Sequence, residues 1–478
     1  MSDIVVVGAG VGGLAAAIRL AEAGHRVSIH ERSGVVGGKL AAYERDGYRF
    51  DTGPSLLTLP DVFTGLGLDL RPEPLDPVVR HFFPDGTVLD SSSDHETFLA
   101  RITDALGGAA ARDWDRFWRR AERIWHASWE SVLRRPVTAA SLARLSWRLG
   151  DLAAIAPGRS LRSLGRRYLR DPRLRMLLDR YATYSGADPR RAPAALAAIP
   201  YAELAFGGWY LPGGLVTLAE ALLARCEKLG VRVHLHSPVA SIATTGARVS
   251  GVRLGDGTRL AADVVVSNVD AVTLYRDLLP SPKPLARLAD RSLAGFVLLL
   301  AVRGETPRLA HHNVFFPRDY DAEFDAVFGG PGRRARPAGD PTVFVTRAAD
   351  PAVRPAGDEA WFVLVNAAPH GTSWSTVDWL RAGLADAYRD RVLEVLAGRG
   401  LDVRDRLIFA ETRTPADLAA SAAAPGGAIY GTAGGLVRPA NRAPVDGLFL
   451  VGGSTHPGGG LPMVTLSAEI VAGMIGSN

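Results

Sequence analysis

The first forty residues constrain this chain more than any other stretch. Ile4–Val7 is a short β-branched run, the composition of a strand buried on both faces. Gly8, Gly10 and Gly13 follow as G-x-G-x-x-G, with Gly12 as an extra small residue. Leu14–Ala23 is rich in helix formers and stops at Gly24, and Val27–His30 restarts a strand with Glu31 at its end. Each glycine has a physical reason. The first permits a tight strand-to-helix turn, the second lets a pyrophosphate approach the backbone, and the third lets helix pack on strand. The helix N-terminus offers free N–H groups and partial positive charge to phosphates. A carboxylate 21 residues after Gly10 stands where a ribose hydroxyl would donate to it. Flanking strands, helix and acid together predict a dinucleotide-binding βαβ unit.

Gly34 and then Gly37-Gly38-Lys39 follow Glu31. A second glycine turn carrying a cation brings another backbone segment and a positive charge toward the same pyrophosphate. The alternative is a flexible surface turn. With Phe50-Asp51-Thr52-Gly53-Pro54 downstream, the stretch resembles the FAD-binding head of the glutathione-reductase-like superfamily, in its amine-oxidase and carotenoid-desaturase branch.

At 478 residues the chain is long enough for two or three domains. Cys226 is its only cysteine, which excludes an intrachain disulfide, a CxxC redox pair and a cysteine-based metal site. It falls in an expected helix, Leu215–Leu229, as a packing residue. A strand that starts at Ile4 leaves no room for a secretory leader, and no window approaches 18 uninterrupted apolar residues. The expected location is therefore cytoplasmic.

Net charge is +5, unevenly spread. Residues 105–205 hold 19 Arg and 9 acids, +10, which leaves −5 for the remainder. Helical patterns fill this region, at 107–205. Trp114, Trp118, Trp125 and Trp129 recur at helical spacing on one face, opposite Arg116, Arg119, Arg120 and Arg123. Further helices are expected over Leu142–Ile155 and Leu161–Tyr181. Two readings stand. One is a helical cap whose Trp stripe is core and whose Arg face is solvated. The other is a surface resting on anionic lipid at the inner face of the cell membrane, with Trp at the interface and Arg on headgroups. Arginine without a nucleic-acid-binding motif argues against nucleic acid.

Elsewhere, His81–Asp90 reads as a hairpin turning at Asp85-Gly86, and Asp94–Leu106 as a helix. Val231–Leu235, Val239–Ile242, Val249–Leu254 and Val264–Ser267 read as strands. Leu293–Val302, Asn313–Phe316, Thr342–Thr346 and Trp361–Asn366 suggest a second sheet that forms the substrate side, and Leu407–Glu411 reads as a further strand. Ser375–Leu396 reads as an amphipathic helix capped by Ser375 or Thr376. His311 and His312, adjacent on an expected strand, should face opposite ways and so not share a metal. No metal site is expected.

The chain closes with strand Leu448–Val451, the glycine-rich loop Gly452–Gly460 and a helix from Leu461, a second anion-friendly cradle. Thr455-His456-Pro457-Gly458 and Gly460-Leu461-Pro462 resemble the C-terminal signature of bacterial phytoene-desaturase-type carotenoid desaturases. The resemblance spans nearly the whole chain, through Gly213-Gly214, Ala262–Asn268 and His311–Phe316. It implies an α/β fold: a glutathione-reductase-like Rossmann FAD domain in three pieces (1–106, 206–290, 441–478), a mixed-sheet substrate domain (291–440) and the helical, membrane-associating region (107–205). It implies an FAD enzyme that desaturates a long lipophilic polyene, passing a hydride to flavin N5 and losing a neighbouring proton.

Carried over, Gly8, Gly10 and Gly13 hold the pyrophosphate, Glu31 with Arg32 the adenosine ribose side, and Gly38 and Lys39 the phosphates. Gly53 lines the cofactor, Val239 offers a backbone contact at the adenine end, and Gly453 meets the ribitol side. Leu461, Pro462, Met463 and Val464 present backbone N–H groups to the flavin O2 edge. Gly453-Ser454 departs from the acid that many amine-oxidase relatives carry. Gly459 and Met463 bring the loop closer to enzymes of already desaturated or hydroxylated carotenoids. His456 is the catalytic candidate, with loop-fixing and ligand contact as its other readings. The competing functions are a same-fold flavoenzyme that oxidises, isomerises or oxygenates another lipophilic or secondary-metabolite substrate, an amine or porphyrinogen oxidase, and a non-catalytic flavin protein. Nothing in the sequence fixes an oligomeric state.

Overall fold

The computed structural model describes residues 1–138, 150, 155, 158–288, 291–330, 332–432 and 438–476. The helix expected over Leu142–Ile155 lies almost wholly outside them.

Asp3–Val7 is central in a five-stranded parallel sheet ordered 448–450, 264–267, 3–7, 26–30, 232–234. Its valines are buried on both faces, which is why the run is β-branched rather than alternating. Val11–Glu22 packs on one face with Val216–Lys228 and the C-terminal helix Leu461–Ile475, through Leu14, Ala15 and Ile18 against Leu218, Leu222 and Ala468. Cys226 is buried in that same layer. Under the other face, the antiparallel strands Val239–Thr245, Arg248–Leu254 and Arg259–Ala261 pack through Ile242, Val249 and Val252. Sheet order changes direction at strand 3–7, so a crevice opens beyond its carboxyl end.

A second, seven-stranded mixed sheet runs 407–413, 294–303, 358–367, 343–347, 312–315, 80–82, 88–90. Its spine is the ten-pair antiparallel ladder from Ala294↔Ala367 to Arg303↔Asp358. Ala294–Val302 is buried throughout. Phe296, Leu298, Leu300 and Val302 face Leu384–Gly398 through Tyr388, Val392 and Leu396, while Val297, Leu299 and Ala301 face Tyr48 and Phe50.

Three expectations need correction. The hairpin at 80–90 forms as read, but Arg80–Phe82 pairs in parallel with His312–Phe315. It therefore belongs to the second sheet, not to the nucleotide-binding block 1–106. Pro172, capped by Asp171, divides the expected helix 161–181 into Leu161–Tyr168 and Pro172–Thr183. The helix expected from Ser375 begins only at Leu384, after Gly383 at φ 73°. Val377 and Trp379 are buried instead in the sheet's own core, and Trp379 Nε1 donates to the carbonyl of Ala368 at 2.9 Å.

The helices 95–106, 108–128, 161–168, 172–183 and 198–206 form a layer over one end of the second sheet. Trp114 and Trp125 are fully buried in it, and Trp118 and Trp129 pack against the same core. Trp118 lies 4.7 Å from both His95 and Tyr201, and Trp125 stacks on Trp129 at 4.7 Å. The tryptophan stripe thus packs into or against the core of this layer, with Trp118 and Trp129 part-exposed. The opposite face stays in solvent, with Arg116 and Arg119 tied to Asp113 and Asp115. No helix among the described residues is long and apolar enough to cross a membrane.

Candidate functional site

The crevice at the sheet switch continues into a cavity of about 1430 Å³ that reaches the helical layer. That exceeds the usual 300–1,000 Å³ of a single small-molecule pocket.

Its nucleotide end is built by glycines. Gly8 turns at φ 95°. A Cβ on Gly13 would fall 2.2 Å from the Gly8 carbonyl, so only glycine lets the helix sit this close to its strand. Cβ atoms on Gly10 and Gly12 would fall 2.5 and 2.6 Å from the side chain of Asn268. The second glycine turn touches the first: Gly37 N–H donates to the Ala9 carbonyl at 2.8 Å, and a Cβ on Gly38 would stand 3.3 Å from Gly10 Cα. A Cβ on Gly53 would fall 1.9 Å from the Lys39 carbonyl, so Gly53 lines the cavity while admitting that carbonyl.

Glu31 sits where its strand ends. Its Oε2 accepts from Ala9 N–H at 2.8 Å and its Oε1 from Ser33 N–H at 2.9 Å, which aims the carboxyl at the cavity wall with acceptor capacity left over. Arg32 lines the same end and donates to the carbonyls of Ala420 and Ser421. Pro238 and Val239 form part of that wall as well.

Lys39 departs from expectation. Its Nζ donates to the carbonyls of Ala428 and Ile429 at 2.9 and 2.6 Å, not toward the glycine turn. Burial lowers its pKa to about 8, against the opposing pull of Asp270. The glycine of this motif therefore serves the cradle, and its lysine fastens a distant segment of the cavity wall.

At the other end, Leu461–Ile475 starts after Gly460 at φ 99°, and Gly452, Gly453 and Leu461–Val464 all line the cavity. The expectation of N–H donors throughout 461–464 needs narrowing. Pro462 has no N–H, and Val464 N–H is spent on the Gly460 carbonyl at 3.0 Å. The amides of Leu461 and Met463 remain as first-turn donors at the positive helix pole.

His456 lines the cavity but is 1% exposed. Its Nε2 lies 3.1 Å from the Val132 carbonyl and 2.9 Å from that of Arg135. Its own N–H donates to Pro439 and its carbonyl accepts from Asn441. Burial lowers its pKa below the ordinary histidine value. An imidazole whose N–H is committed to two main-chain carbonyls positions the loop, and the catalytic reading gives way to the loop-fixing one.

The histidine pair also differs from expectation. Extended structure starts only at His312, so alternation does not separate the two, and their rings lie 4.6 Å apart. His312 Nε2 binds the Ser55 carbonyl at 2.9 Å, while His311 packs on Tyr210. No group of three metal-ligating side chains occurs among the described residues.

Several site residues escaped sequence reasoning. Asn268, at the carboxyl end of a parallel strand, closes over the glycine turn; its position at the switch point was the available signal. Asp270 pairs with Arg291 at 3.0 Å on the cavity side. Arg438 is 8% exposed, donates to the carbonyls of Tyr430 and Gly453, and has no ion-pair partner among the described residues. Burial lowers its pKa to about 10, which keeps it charged at neutral pH. Arg180, Tyr184 and Glu203 face the cavity from the helical layer.

The two glycine turns, a carboxyl held by backbone amides at one end and a helix pole at the other fit an extended dinucleotide. Fold and site together define a flavin-dependent oxidoreductase of α/β class, with a five-stranded parallel sheet beneath the glycine turns and a mixed sheet beside the rest of the cavity. A family model described as flavin containing amine oxidoreductase matches residues 11–475. The chain is 35% identical to 4,4'-diapolycopene oxygenase of a Methylomonas species, over 98% of this chain and 97% of that protein. It is 35% identical to hydroxyneurosporene desaturase of Cereibacter sphaeroides (98% and 96% covered) and 30% to 1-hydroxycarotenoid 3,4-desaturase of a Flavobacterium species (99% and 99%). The chain belongs to the flavin-containing amine oxidoreductase family, in its carotenoid-desaturase-type group of FAD-dependent oxidoreductases. An oxidoreductase from Methanosarcina mazei shares the fold at TM-score 0.65 and 16% identity, covering 98% of this chain and 99% of that one. A redesigned putrescine oxidase does so at TM-score 0.64 and 15% identity, covering 99% and 98%.

Proposed function

We propose that this enzyme desaturates a carotenoid or related long isoprenoid polyene. One observation carries the reading: the dinucleotide cradle opens without a break into an apolar chamber between the second sheet and the helical layer, walled by Leu196, Ile199, Ala202, Phe344, Phe362 and Leu364. A polyene offers little for polar recognition, so its binding rests on apolar burial, about 25 cal/mol per Å². FAD, when bound, supplies the acceptor for a hydride. The chain's own groups do the rest. The walls hold the reacting C–H and exclude water. The Leu461 and Met463 amides and the Arg438 guanidinium would favour negative charge on a flavin held at this end of the cavity. The proton lost from the adjacent carbon leaves to solvent at the mouth of the cavity.

The purified protein should be yellow and release flavin on denaturation. Co-expression with producers of acyclic carotenoids should shift pigment absorption to the red, with product mass lower by two hydrogens per step. No shift with any such producer would move the reading to another lipophilic substrate. A second reading, oxygenation of an already conjugated polyene, draws on the relative named an oxygenase at 35% identity. Oxygen incorporation seen by product mass separates the two. The same proposal places the protein at the inner face of the cell membrane, where a lipophilic substrate resides. Its exposed basic face, including Arg116, Arg119, Arg123, Arg166 and Arg167, suits anionic headgroups there.

A further inference from the structure

The second sheet lends the chamber a wall that is apolar along most of its length, through Gly295, Val297, Phe344, Phe362 and Leu364. Asn366 interrupts it. The residue continues the row of Phe362 and Leu364 at a spacing of two, and it is part-exposed while Val365 and Ala367 on either side are buried. On an interior strand of the sheet, that exposure is to the chamber.

The amide is oriented from behind. Glu323 is 1% exposed, on the helix Tyr320–Phe328. Its Oε1 accepts from Asn366 Nδ2 at 2.9 Å, and its Oε2 accepts from the Thr342 N–H and hydroxyl at 2.8 and 2.6 Å. A carboxylate only accepts, so the NH₂ of Asn366 is held toward it and the Oδ1 is turned away from it. No donor among the described residues takes that oxygen. It also lies toward the reactive end. Asn366 pairs with Gly295 across the ladder, and a Cβ on Gly295 would stand 3.3 Å from Ile429 Cδ1. The next ring, Tyr430, packs against Gly459 of the C-terminal glycine loop, where a Cβ would fall 2.4 Å from its Cδ1.

An unanswered acceptor in an apolar chamber costs free energy, and a bare polyene has no donor for it. A reacting polyene does become positive. The first C–H bond to break gives up both electrons as hydride to the cofactor, and positive charge spreads over the adjoining double bonds. It persists until the neighbouring C–H releases its proton to solvent at the cavity mouth and its electron pair becomes the new C=C bond. We infer that Asn366 is a catalytic residue of this desaturation, its Oδ1 stabilising the positive charge on the polyene, and that Glu323 is the positioning residue that aims the amide. The inference rests on the polyene reading above and deepens it. A fixed dipole aimed at developing charge acts far more strongly in a water-excluded site than in solvent.

The test uses the full-length FAD-loaded enzyme without oxygen, so that bound flavin is the only oxidant, and an acyclic carotenoid as probe. Rapid quench reads product formed in one turnover at saturating polyene, and induced circular dichroism in the polyene band reads binding. Asn366→Leu, checked for flavin content and thermal transition, should slow the turnover about ten- to hundredfold, with polyene affinity little changed. Glu323→Gln should show the same pattern at smaller size. An unchanged turnover rate in folded Asn366→Leu overturns the inference. Weakened affinity at an unchanged rate does so too, and would make Asn366 a reader of some polar group on the substrate. If Asn366→Leu does not fold, the wild type decides. Deuterium at the carbon that loses hydride should slow the single turnover several-fold, and deuterium at the neighbouring carbon hardly at all, because the charge forms before the proton leaves. Equal effects at both carbons would mean that no such charge develops, and would overturn the inference. No turnover with any acyclic carotenoid would instead defeat the polyene reading itself, and this inference with it.

Discussion

His456 Nε2 stands 2.9 Å from the main-chain carbonyl of Arg135, and this contact joins the C-terminal glycine loop to the helical layer across more than 300 residues of chain. The loop supplies Gly452 and Gly453 to one cavity wall, and the segment ending at Arg135 supplies Val132 and Leu133 to another. Losing the imidazole should therefore loosen the meeting of flavin site and substrate chamber without removing a proton-transfer group. His456→Gln, which keeps a donor, should retain turnover within several-fold, and His456→Ala should lower the thermal transition and flavin retention. A general acid or base would show a loss of 10²–10⁴ in both variants. Steady-state kinetics beside a flavin-release melt distinguishes the two.

The same residue sets a pH signature. Burial holds its folded pKa below the ordinary 6.5, so the unfolded chain binds its proton first. Its contribution to stability is full above 6.5 and is lost as pH falls from 6.5 through the folded pKa. Relative to His456→Gln, the wild type should lose up to about 1.4 kcal/mol per pH unit in that window. Chemical denaturation of both proteins between pH 7.5 and about 4.5 checks this, since the other titrating groups cancel in the difference.

At the glycine-turn end, Glu31 is braced by Ala9 and Ser33 N–H and keeps acceptor capacity for a ribose hydroxyl, a role that its glutamine variant tests. Glu31→Gln retains an acceptor but replaces one bound oxygen by an NH₂ that opposes a backbone amide. FAD affinity should fall tenfold or more, equivalent to about 1.4 kcal/mol or above, with far-ultraviolet circular dichroism little changed. Fluorescence titration of the apoprotein with FAD measures it.

Much of this architecture was readable in the sequence where local chemistry and period coincide. Ile4–Glu31 has β-branched strands, obligatory glycines and a carboxyl at fixed spacing, and each has its predicted place. The closing strand, loop and helix were equally legible. Lys39 was not, because a four-carbon stem can point either way from a glycine turn, and tertiary carbonyls at 428 and 429 decide it. The start at Leu384 was obscured because Val377 and Trp379 fit an amphipathic helix as well as the buried turn they make. Arg180 and Glu203 had no local signal at all. One arginine among 19 in residues 105–205 gains meaning only when the fold shows that it is buried beside a cavity.

The basic face of the helical layer should bind anionic vesicles chiefly by charge, since the tryptophans lie on the opposite side and pack into or against the core. Flotation should recover the protein with anionic but not zwitterionic liposomes, and raising salt from 0.05 to about 0.5 M should release it as the Debye length shrinks. A triple reversal, Arg116→Glu, Arg119→Glu and Arg166→Glu, should abolish recovery. Salt-resistant binding would point instead to apolar insertion.

Arg438 offers the sharpest test of the reactive end. It is buried and charged, lacks a carboxylate partner among the described residues, and donates to the Gly453 carbonyl at 3.3 Å beside the positive pole of Leu461–Ile475. An uncompensated cation here favours whichever flavin state carries more negative charge. At an effective dielectric near 20, unit charges about 5–10 Å apart interact by roughly 2–3 kcal/mol. For a two-electron couple about 30 mV corresponds to 1.4 kcal/mol. Arg438→Gln should therefore make the midpoint potential of the bound flavin more negative by tens of millivolts, while Arg438→Lys recovers much of the shift. Equilibrium titration against redox dyes measures both. An unchanged potential in the glutamine variant would mean that Arg438 only braces the loop, leaving the helix pole and the Leu461 and Met463 amides as the electrostatic support of the ring.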